Sequence, residues 1–540
     1  MLPVKFEKFF GSTKLFLDFI GYRGAARDYF KYDFRRITSY NAAAERIDAF
    51  SYRREKLVSI LEDGLKRIEI TPQTKSNIRK LAEPDSLVVF AGQQVGMLLG
   101  PMYTVIKALT AYKLAARLEA QMDRPVVPCF WMATDDHDFG EVKSVKLLSR
   151  PGDCIDVSYE PAVLQDGAPM ADISLDDKIS AFLSEIGKNL IETEFSRDTI
   201  DRINGSYKEG GGLSESFASL FNAFLGDFGI IPVDPNFPGM KEMMAPAFKY
   251  DIENHRRLFE IFEDRSGAIL NAGYHRQVHK TGENLNLFFN DGGRKNIIIE
   301  NGKFRLDGRD GQYSKEELLS ILEENPEKFS PNVCLRPIAQ CLAFPVICQI
   351  TGPSEAAYFA QIQPLFENMG IPLPVIRPRL FATIMEPQIK RSFEKLSIDF
   401  LALYNDTERE INRVIAEKYP PEIQKKAESL RPDVEKPLLE MADALKESEP
   451  EGYQAIEHTL KRIDHELNHL SKKLFALHKK RHDTVRGQIY RAAGFLFPEG
   501  RFQERVISPV YFVNKFGPEI FRVIDSRLDI DSTDHQIVEI

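Results

Sequence analysis

The chain has 540 residues, 43% hydrophobic and 28% charged, enough apolar material to bury a large core in several structural units and too much for a disordered chain. A net charge of −9 gives no broad basic field, so nucleic acid is not the expected partner. The longest apolar runs, such as Leu342 to Ile350 interrupted by Pro345 and Gln349, fall far short of the roughly 18 to 20 residues of a membrane helix, so no membrane partner is expected either.

The opening MLPVKFEKFFGS lacks the basic start, apolar stretch and small-residue cleavage site of a secretory signal, which points to a cytoplasmic location. Five cysteines form no disulfide framework in a chain of this size. Cys334, Cys341 and Cys348 are each separated by six residues, too far apart for a zinc knuckle, so reduced structural thiols are expected and no metal site.

In chain order, Ser86 to Leu118 reads as strand, loop and helix: SLVVF is short and β-branched, AGQQVGMLLGP is punctuated by glycine, and MYTVIKALTAYKLAARL has helical spacing. PVVPCFWMATDDHDF starts as a buried strand and ends in a cluster of acids around a histidine. The irregular stretch 150–212 follows, then 213–265, where GIIPVDPNFPGM supplies another strand with a polar end, and then the hairpin-like, glycine-marked stretch Asn271 to Arg309. FPVICQITGPSEAAYFAQIQPLFENM repeats the strand, turn and helix, with Glu355 in the first helical turn, and IPLPVIRPRL closes the sheet. This alternation predicts an α/β fold with a doubly wound parallel sheet: a first part over 1–149, an insertion over 150–212, a continuation over 213–265, a second insertion over 266–330 and a last part over 331–386.

Charged, helix-forming sequence fills 387–490. Ile456, Leu460, Ile463, Leu467, Leu470, Leu474 and Leu477 recur at alternating intervals of four and three, a coiled-coil seam. Such a short seam needs a partner, either Ser392 to Lys418 folded back in cis or the same region of a second subunit. Pro420, Pro421, Pro432, Pro437 and Pro450 are expected to break the region between them. Residues 491–540 are too apolar for a free tail and are expected to pack back on the core.

Ligands of such a sheet bind beyond the carboxyl ends of its strands, so AGQQVGMLLGP, TDDHDFGE and TGPSE are expected to converge on one crevice. Gly92, Gly96 and Gly100 allow close approach to a ligand, and the amides opening the next helix can face an anion, although glycines shaping an ordinary turn explain the loop equally well. Asp135, Asp136, His137 and Asp138 could hold a metal, orient an ammonium or shuttle a proton, or simply cap and solvate a loop. Lys107, near Thr104 in the following helix, could meet an acidic ligand or pair with a surface carboxylate. Arg336, Arg377 and Arg379 suit carboxylate recognition or the tying of loops. His275 and His279 share a face and could bind a metal or phosphate, with structural histidines as the plainer reading. Cys129 lies beside Trp131, near the site or merely buried.

Through GQQVGMLLGPMYTVIKA, PCFWMATDDHDFGEV, QITGPSEAAYF and PEGRFQERV the chain resembles, over its full length, the BshC family, the cysteine ligases of bacillithiol biosynthesis. The resemblance implies a Rossmann-like core similar to that of class I aminoacyl-tRNA synthetases, two connecting insertions, and a C-terminal α-helical coiled coil through which a homodimer can form. It also implies addition of L-cysteine to glucosaminyl malate to give bacillithiol. Amide formation in water requires an activated carboxyl, so ATP with Mg²⁺ is the expected energy source, through an adenylate or an acyl phosphate. The HIGH and KMSKS motifs of the synthetases are absent.

On this reading Asp135 or Asp138 holds the ammonium of cysteine, His137 assists proton transfer, and Gly96 to Thr104 receives anionic groups. Gln93, Gln94, Tyr103, Lys107, Trp131 and Asp136 are expected at the substrate, with Gly352, Ser354, Glu355 and Arg377 opposite them. A nucleotide (ATP or ADP) is expected beside the coiled coil at Gly494, Phe497 and Gln503. Two other classes compete: a metal-dependent hydrolase or transferase built on the Asp135 to His137 cluster with His275 and His279, and a non-catalytic scaffold whose working part is the seam.

Overall fold

The computed structural model describes residues 3–9, 11–162 and 167–540. Residues 163–166 of the expected first insertion, and Met1, Leu2 and Phe10 of the opening segment, lie outside them. The chain divides into two compact units, Met1–Ile384 with Arg501–Ile540, and Met385–Gly500.

The first unit is built on five parallel strands, β1 (Leu87–Gln93), β2 (Val126–Met132), β3 (Ile231–Val233), β4 (Val346–Thr351) and β5 (Val375–Pro378), in the order β5-β4-β1-β2-β3. They are buried almost throughout and carry apolar residues on both faces, as a parallel sheet covered by helices on both sides requires. The Leu87↔Val126 to Gln93↔Met132 register brings the carboxyl ends of β1 and β2 level. Cys348↔Val375 to Thr351↔Pro378 does the same for β4 and β5. From β1 the chain passes through α1 (Tyr103–Met122) to β2 on one side, whereas β4 reaches the other side of β1 only after the long excursion that contains β3. The order of strands therefore reverses between β1 and β4, which opens a crevice beyond their carboxyl ends. GIIPVDP forms β3 as expected, and its Pro232 is tolerated at the sheet edge, where one side of the strand has no neighbour to bond.

The insertions begin and end differently from the sequence expectation. An antiparallel pair, Ser144–Leu148 with Cys154–Ser158, straddles residue 150, because the Pro151-Gly152 turn joins two strands of one hairpin. The helix α2 (Met240–Asn271) runs through 265/266, kinked at Asn254 (φ −125°), so the core continuation and the second insertion share one rod. Beyond it the glycine-marked stretch forms an antiparallel sheet whose strands lie in the order Lys303–Leu306, Arg294–Glu300, Asn284–Asn290, Phe329–Pro331. The segment Arg501–Ile540 belongs to the first unit, where Arg379 and Glu504, only 3% and 1% exposed, form a bidentate ion pair at 2.9 and 2.6 Å.

The second unit is all helical. The stretch expected as one helix from Ser392 to Lys418 is three, Pro387–Leu396, Phe400–Asn405 and Thr407–Ala416. The left-handed Ser397 ends the first, and the Asp399 and Asp406 carboxylates accept the amides of Ala402 (2.7 Å) and Arg409 (2.9 Å), opening the next two. The seam helix Pro450–Arg481 instead pairs in cis with Pro421–Leu445, antiparallel, with Arg431 hydrogen-bonded to Asn468 at 3.0 Å and Tyr419 5.0 Å from the His478 ring. Pro432 and Pro437 lie inside Pro421–Leu445 rather than breaking it; both are exposed, so the carbonyls they leave unbonded face water. Pro421 and Pro450 stand at first helical positions, where proline costs nothing. No helix among the described residues is long and apolar enough to cross a membrane.

Candidate active site

At the switch between β1 and β4 lies a crevice of about 470 Å³. The ends of β1 and β2 contribute Gly92, Gln93, Gln94, Trp131 and Ala133; the end of β4 and the helix α3 (Pro353–Asn368) contribute Gln349, Gly352, Ser354, Glu355 and Tyr358. Tyr103 and Lys107 of α1 form its floor side, with Val333, Arg336, Arg379 and Arg505 around them. Two of the three expected loops thus meet. The Trp131 indole is buried against Phe90, ring centroids 5.9 Å apart, and a side chain at position 92 would meet Trp131 at 3.0 Å, so only glycine fits there.

Lys107 organises the centre. Its three ammonium hydrogens reach the Gly92 carbonyl (2.8 Å), Gln93 Oε1 (3.0 Å) and Glu355 Oε2 (2.6 Å), while Glu355 Oε2 also accepts the Gly352 amide at 2.7 Å. Burial lowers the Lys107 pKa, outweighing the pull of Glu355 in the other direction. Lys107 thus pairs with a carboxylate, but one inside the crevice rather than at the surface, and all three of its hydrogens have acceptors. Gln93 Nε2 donates to the Tyr103 hydroxyl at 2.9 Å, and burial raises the pKa of that hydroxyl.

The acidic loop behaves differently from the expectation. Asp135 does not line the crevice: its carboxylate is turned inward onto Lys241 of α2, 2.5 and 2.6 Å away, with Asn236 Nδ2 donating to it at 3.1 Å. Lys241 is only 4% exposed and its pKa is lowered by burial against the opposing pull of Asp135. Thr134 donates to Asp234, the residue after β3, whose carboxyl is pushed up to about 6 by burial. Asp135 is thus spent on holding the loop, because an unpaired buried carboxylate is costly. Asp136 alone reaches toward the crevice, accepting Gln94 Nε2 at 2.6 Å and the His137 amide at 2.8 Å. His137 and Asp138 are exposed and absent from the crevice lining.

The buried Asp234 has a pH signature. A carboxyl whose folded pKa lies near 6, above the usual 3.8, favours the folded state when protonated, so its contribution is fully present below pH 4 and is lost as the pH rises through 6. Asp234→Asn should flatten the decline in stability between pH 4 and 6 relative to the parent protein. Denaturant midpoints measured at several pH values check this, and parallel profiles would contradict it.

Four amides of the loop 96–104 have acceptors within the chain: Leu98 the Tyr207 hydroxyl (3.0 Å), Gly100 the Met97 carbonyl (2.9 Å), Met102 the Ile507 carbonyl (2.8 Å) and Thr104 the Pro101 carbonyl (3.0 Å). Gly96 and Gly100 serve packing, since a side chain at 96 would meet the Gly100 backbone at 3.2 Å and Gly100 has φ +64°. Thr104 is buried, away from the crevice. Arg377 ties loops together, bonding the Phe34 carbonyl (3.0 Å), the Tyr40 hydroxyl (3.4 Å) and the Ile530 carbonyl.

The three residues expected at a nucleotide lie in two units. Phe497 is core of the helical unit, against Phe400 (4.8 Å) and Tyr404 (5.1 Å), and Gly494 is half-buried in the helix Asp483–Leu496. Gln503, in the other unit and 1% exposed, accepts the Ile384 amide at 2.8 Å and donates to the Ile384 carbonyl at 3.2 Å. Cys129 is buried, its thiol pKa raised well above the ordinary value by desolvation. His275 bonds Gln277 at 3.2 Å, and among the described residues no three His, Cys, Asp or Glu gather as a metal-binding group.

Tyr358, Gln349 and Arg505 were missed. Tyr358 follows Glu355 by three residues on one helix, hence on the same face, a signal the sequence carried. Gln349 is the one polar side chain within an apolar strand before its Thr351 end, again a visible cue.

Two family descriptions cover the chain: the N-terminal Rossmann-like domain of bacillithiol biosynthesis BshC matches residues 2–380 and the C-terminal coiled-coil domain of the same family matches 382–540. A protein of Salinibacter ruber named "Putative cysteine ligase BshC" is 30% identical, over 97% of this chain and 96% of its own. Proteins of the same name from Solibacter usitatus (28%, over 98% and 97%) and Prosthecochloris aestuarii (28%, over 98% and 96%) agree along the same length. With a Rossmann-like parallel sheet, a helical second unit and matches from end to end, the chain belongs to the BshC family of bacillithiol biosynthesis.

Proposed function

We propose that the crevice joins the carboxyl carbon of L-cysteine to the amine of glucosaminyl malate, forming bacillithiol. The observation that carries this reading is Arg336. Its guanidinium lines the crevice yet among the described residues bonds only neutral groups, the Tyr358 hydroxyl at 2.8 Å and Gln340 Oε1 at 3.3 Å. Arg505 also lines the crevice and has no carboxylate partner among the described residues, whereas Arg379 is neutralised by Glu504. Two unneutralised guanidinium groups in one crevice suit a substrate with two carboxylates, and malate has two.

ATP with Mg²⁺ supplies the activation: the cysteine carboxylate takes up an adenylyl or phosphoryl group, the neutral amine attacks the carboxyl carbon, and AMP or phosphate departs as the amine sheds its proton. The amides of Leu98, Gly100, Met102 and Thr104 are already bonded within the chain, and the residues around the crevice contribute by holding and orienting the two substrates. The reading is tested by titrating the protein with glucosaminyl malate and with glucosamine. Binding that depends on the malate half and weakens with added salt is expected; equal affinity for both would sink it.

The helical unit supports a homodimer. Leu470 and Leu477 of the seam are 46% and 54% exposed, and Leu439 and Met441 of the paired helix 50% and 56%, apolar side chains that the cis pairing leaves uncovered. Leu470→Glu with Leu477→Glu should convert a dimer to a monomer in sedimentation equilibrium at micromolar concentration. A parent protein that sediments as a monomer would contradict the proposal.

A further inference from the structure

The two adjacent glutamines of the crevice are held in opposite senses. Gln93 has its carbonyl oxygen fixed on the Lys107 ammonium at 3.0 Å, and one hydrogen of its amide nitrogen goes to the Tyr103 hydroxyl at 2.9 Å. Its second N–H and the Tyr103 O–H hydrogen have no acceptor among the described residues. Gln94 is reversed: its amide nitrogen donates to Asp136 Oδ2 at 2.6 Å and to Glu141 Oε2 at 3.4 Å, so both hydrogens are engaged and Oε1 has no donor among the described residues. Both side chains line the same crevice, as does Tyr103.

We infer that Lys107 and Asp136 are positioning residues that lock these amides so that the crevice offers donors at Gln93 and Tyr103 and an acceptor at Gln94, a match for the carboxylate and ammonium of an α-amino acid zwitterion. The inference rests on the reading of this crevice as the amino-acid site and names the groups that read the amino acid. The charges behind the glutamines have the same polarity: an ammonium backs Gln93, and the carboxylates of Asp136 and Glu141 back Gln94. A free amide in a crevice could rotate and offer either end. Here rotation of Gln93 would set its NH₂ against an ammonium, and rotation of Gln94 would set its carbonyl against two carboxylates.

The Asp136 anchor allows a clean test. Asp136 Oδ1 accepts the His137 amide at 2.8 Å, so in Asp136→Asn the side-chain oxygen stays there and the new NH₂ faces Gln94, turning that amide over and removing the acceptor from the crevice. Adding Gln94→Glu restores an acceptor, because the introduced carboxylate takes the hydrogen of the introduced amide with one oxygen and presents the other. Affinities of the full-length protein for L-cysteine and for 3-mercaptopropionate, which lacks the amine, are measured by calorimetry, with L-alanine and L-serine as further zwitterions. The parent protein should prefer L-cysteine by about tenfold, the worth of one hydrogen bond to a charged group. The preference should vanish in Asp136→Asn and return when Asp136→Asn is combined with Gln94→Glu, a pattern that general loosening of the loop would not produce, since it weakens both ligands alike. A preference unchanged in Asp136→Asn, or a parent protein that binds none of the zwitterions, overturns the inference. Amine-dependent binding of alanine and serine without cysteine, abolished by Asp136→Asn, would uphold the inference and remove the cysteine reading instead.

Discussion

Lys241→Met is expected to destabilise the first unit by about 3 to 5 kcal/mol, the usual consequence of stripping one partner from a buried ion pair. Asp135 would be left with Asn236 as its only side-chain donor among the described residues, in a site where burial already pushes its neighbour Asp234 up to about 6. The loss should appear as a lower denaturant midpoint at pH 7, read from Trp131, the single tryptophan, which is 1% exposed and reports on this unit alone. Asp135→Asn combined with Lys241→Met should recover most of the loss, because the uncompensated charge goes with its partner. A single variant as stable as the parent would show that the pair is not holding the loop.

Arg336→Met is expected to raise the KM for glucosaminyl malate about tenfold to a hundredfold, the range for losing a hydrogen bond to a charged group of about 1.5 to 3 kcal/mol, and to leave the KM for cysteine nearly unchanged. The folding cost should be small, since Arg336 is half-buried and its partners Tyr358 and Gln340 are neutral. Arg336→Lys should restore only part of the loss, as an ammonium is a point charge without the planar fork. Steady-state kinetics with each substrate varied in turn separates the two KM effects. Equal effects on both would place Arg336 in the general architecture of the crevice rather than at the malate.

The sheet was legible because its strands are apolar runs punctuated by glycine and ended by polar residues, and even the three-residue β3 showed itself as GIIPVDP. The convergence of the loops after β1 and β4 followed from the same grammar. What the sequence concealed was the direction of side chains on an irregular loop: TDDHD offers three acids within four residues, but only long-range packing against Lys241, more than a hundred positions away, turns Asp135 inward and leaves Asp136 at the crevice. Gly96 and Gly100 carried the same ambiguity, since a glycine needed for backbone packing and one needed for a ligand look alike in one dimension. In the helical unit, the prolines misled because an exposed proline within a long helix leaves its unbonded carbonyl to water, and the stretch Ser392 to Lys418 is divided because Asp399 and Asp406 start new helices, a capping signal present in the sequence.

The most direct test of the account uses L-cysteine labelled with ¹⁸O in its carboxylate, together with glucosaminyl malate, ATP and Mg²⁺, and follows the label by mass spectrometry. The account predicts bacillithiol with one ¹⁸O moved into AMP or into inorganic phosphate, the former for an adenylate and the latter for an acyl phosphate, at a rate that falls in Arg336→Met at limiting glucosaminyl malate. Both substrates bound and yet no label in either product would contradict carboxyl activation in this crevice.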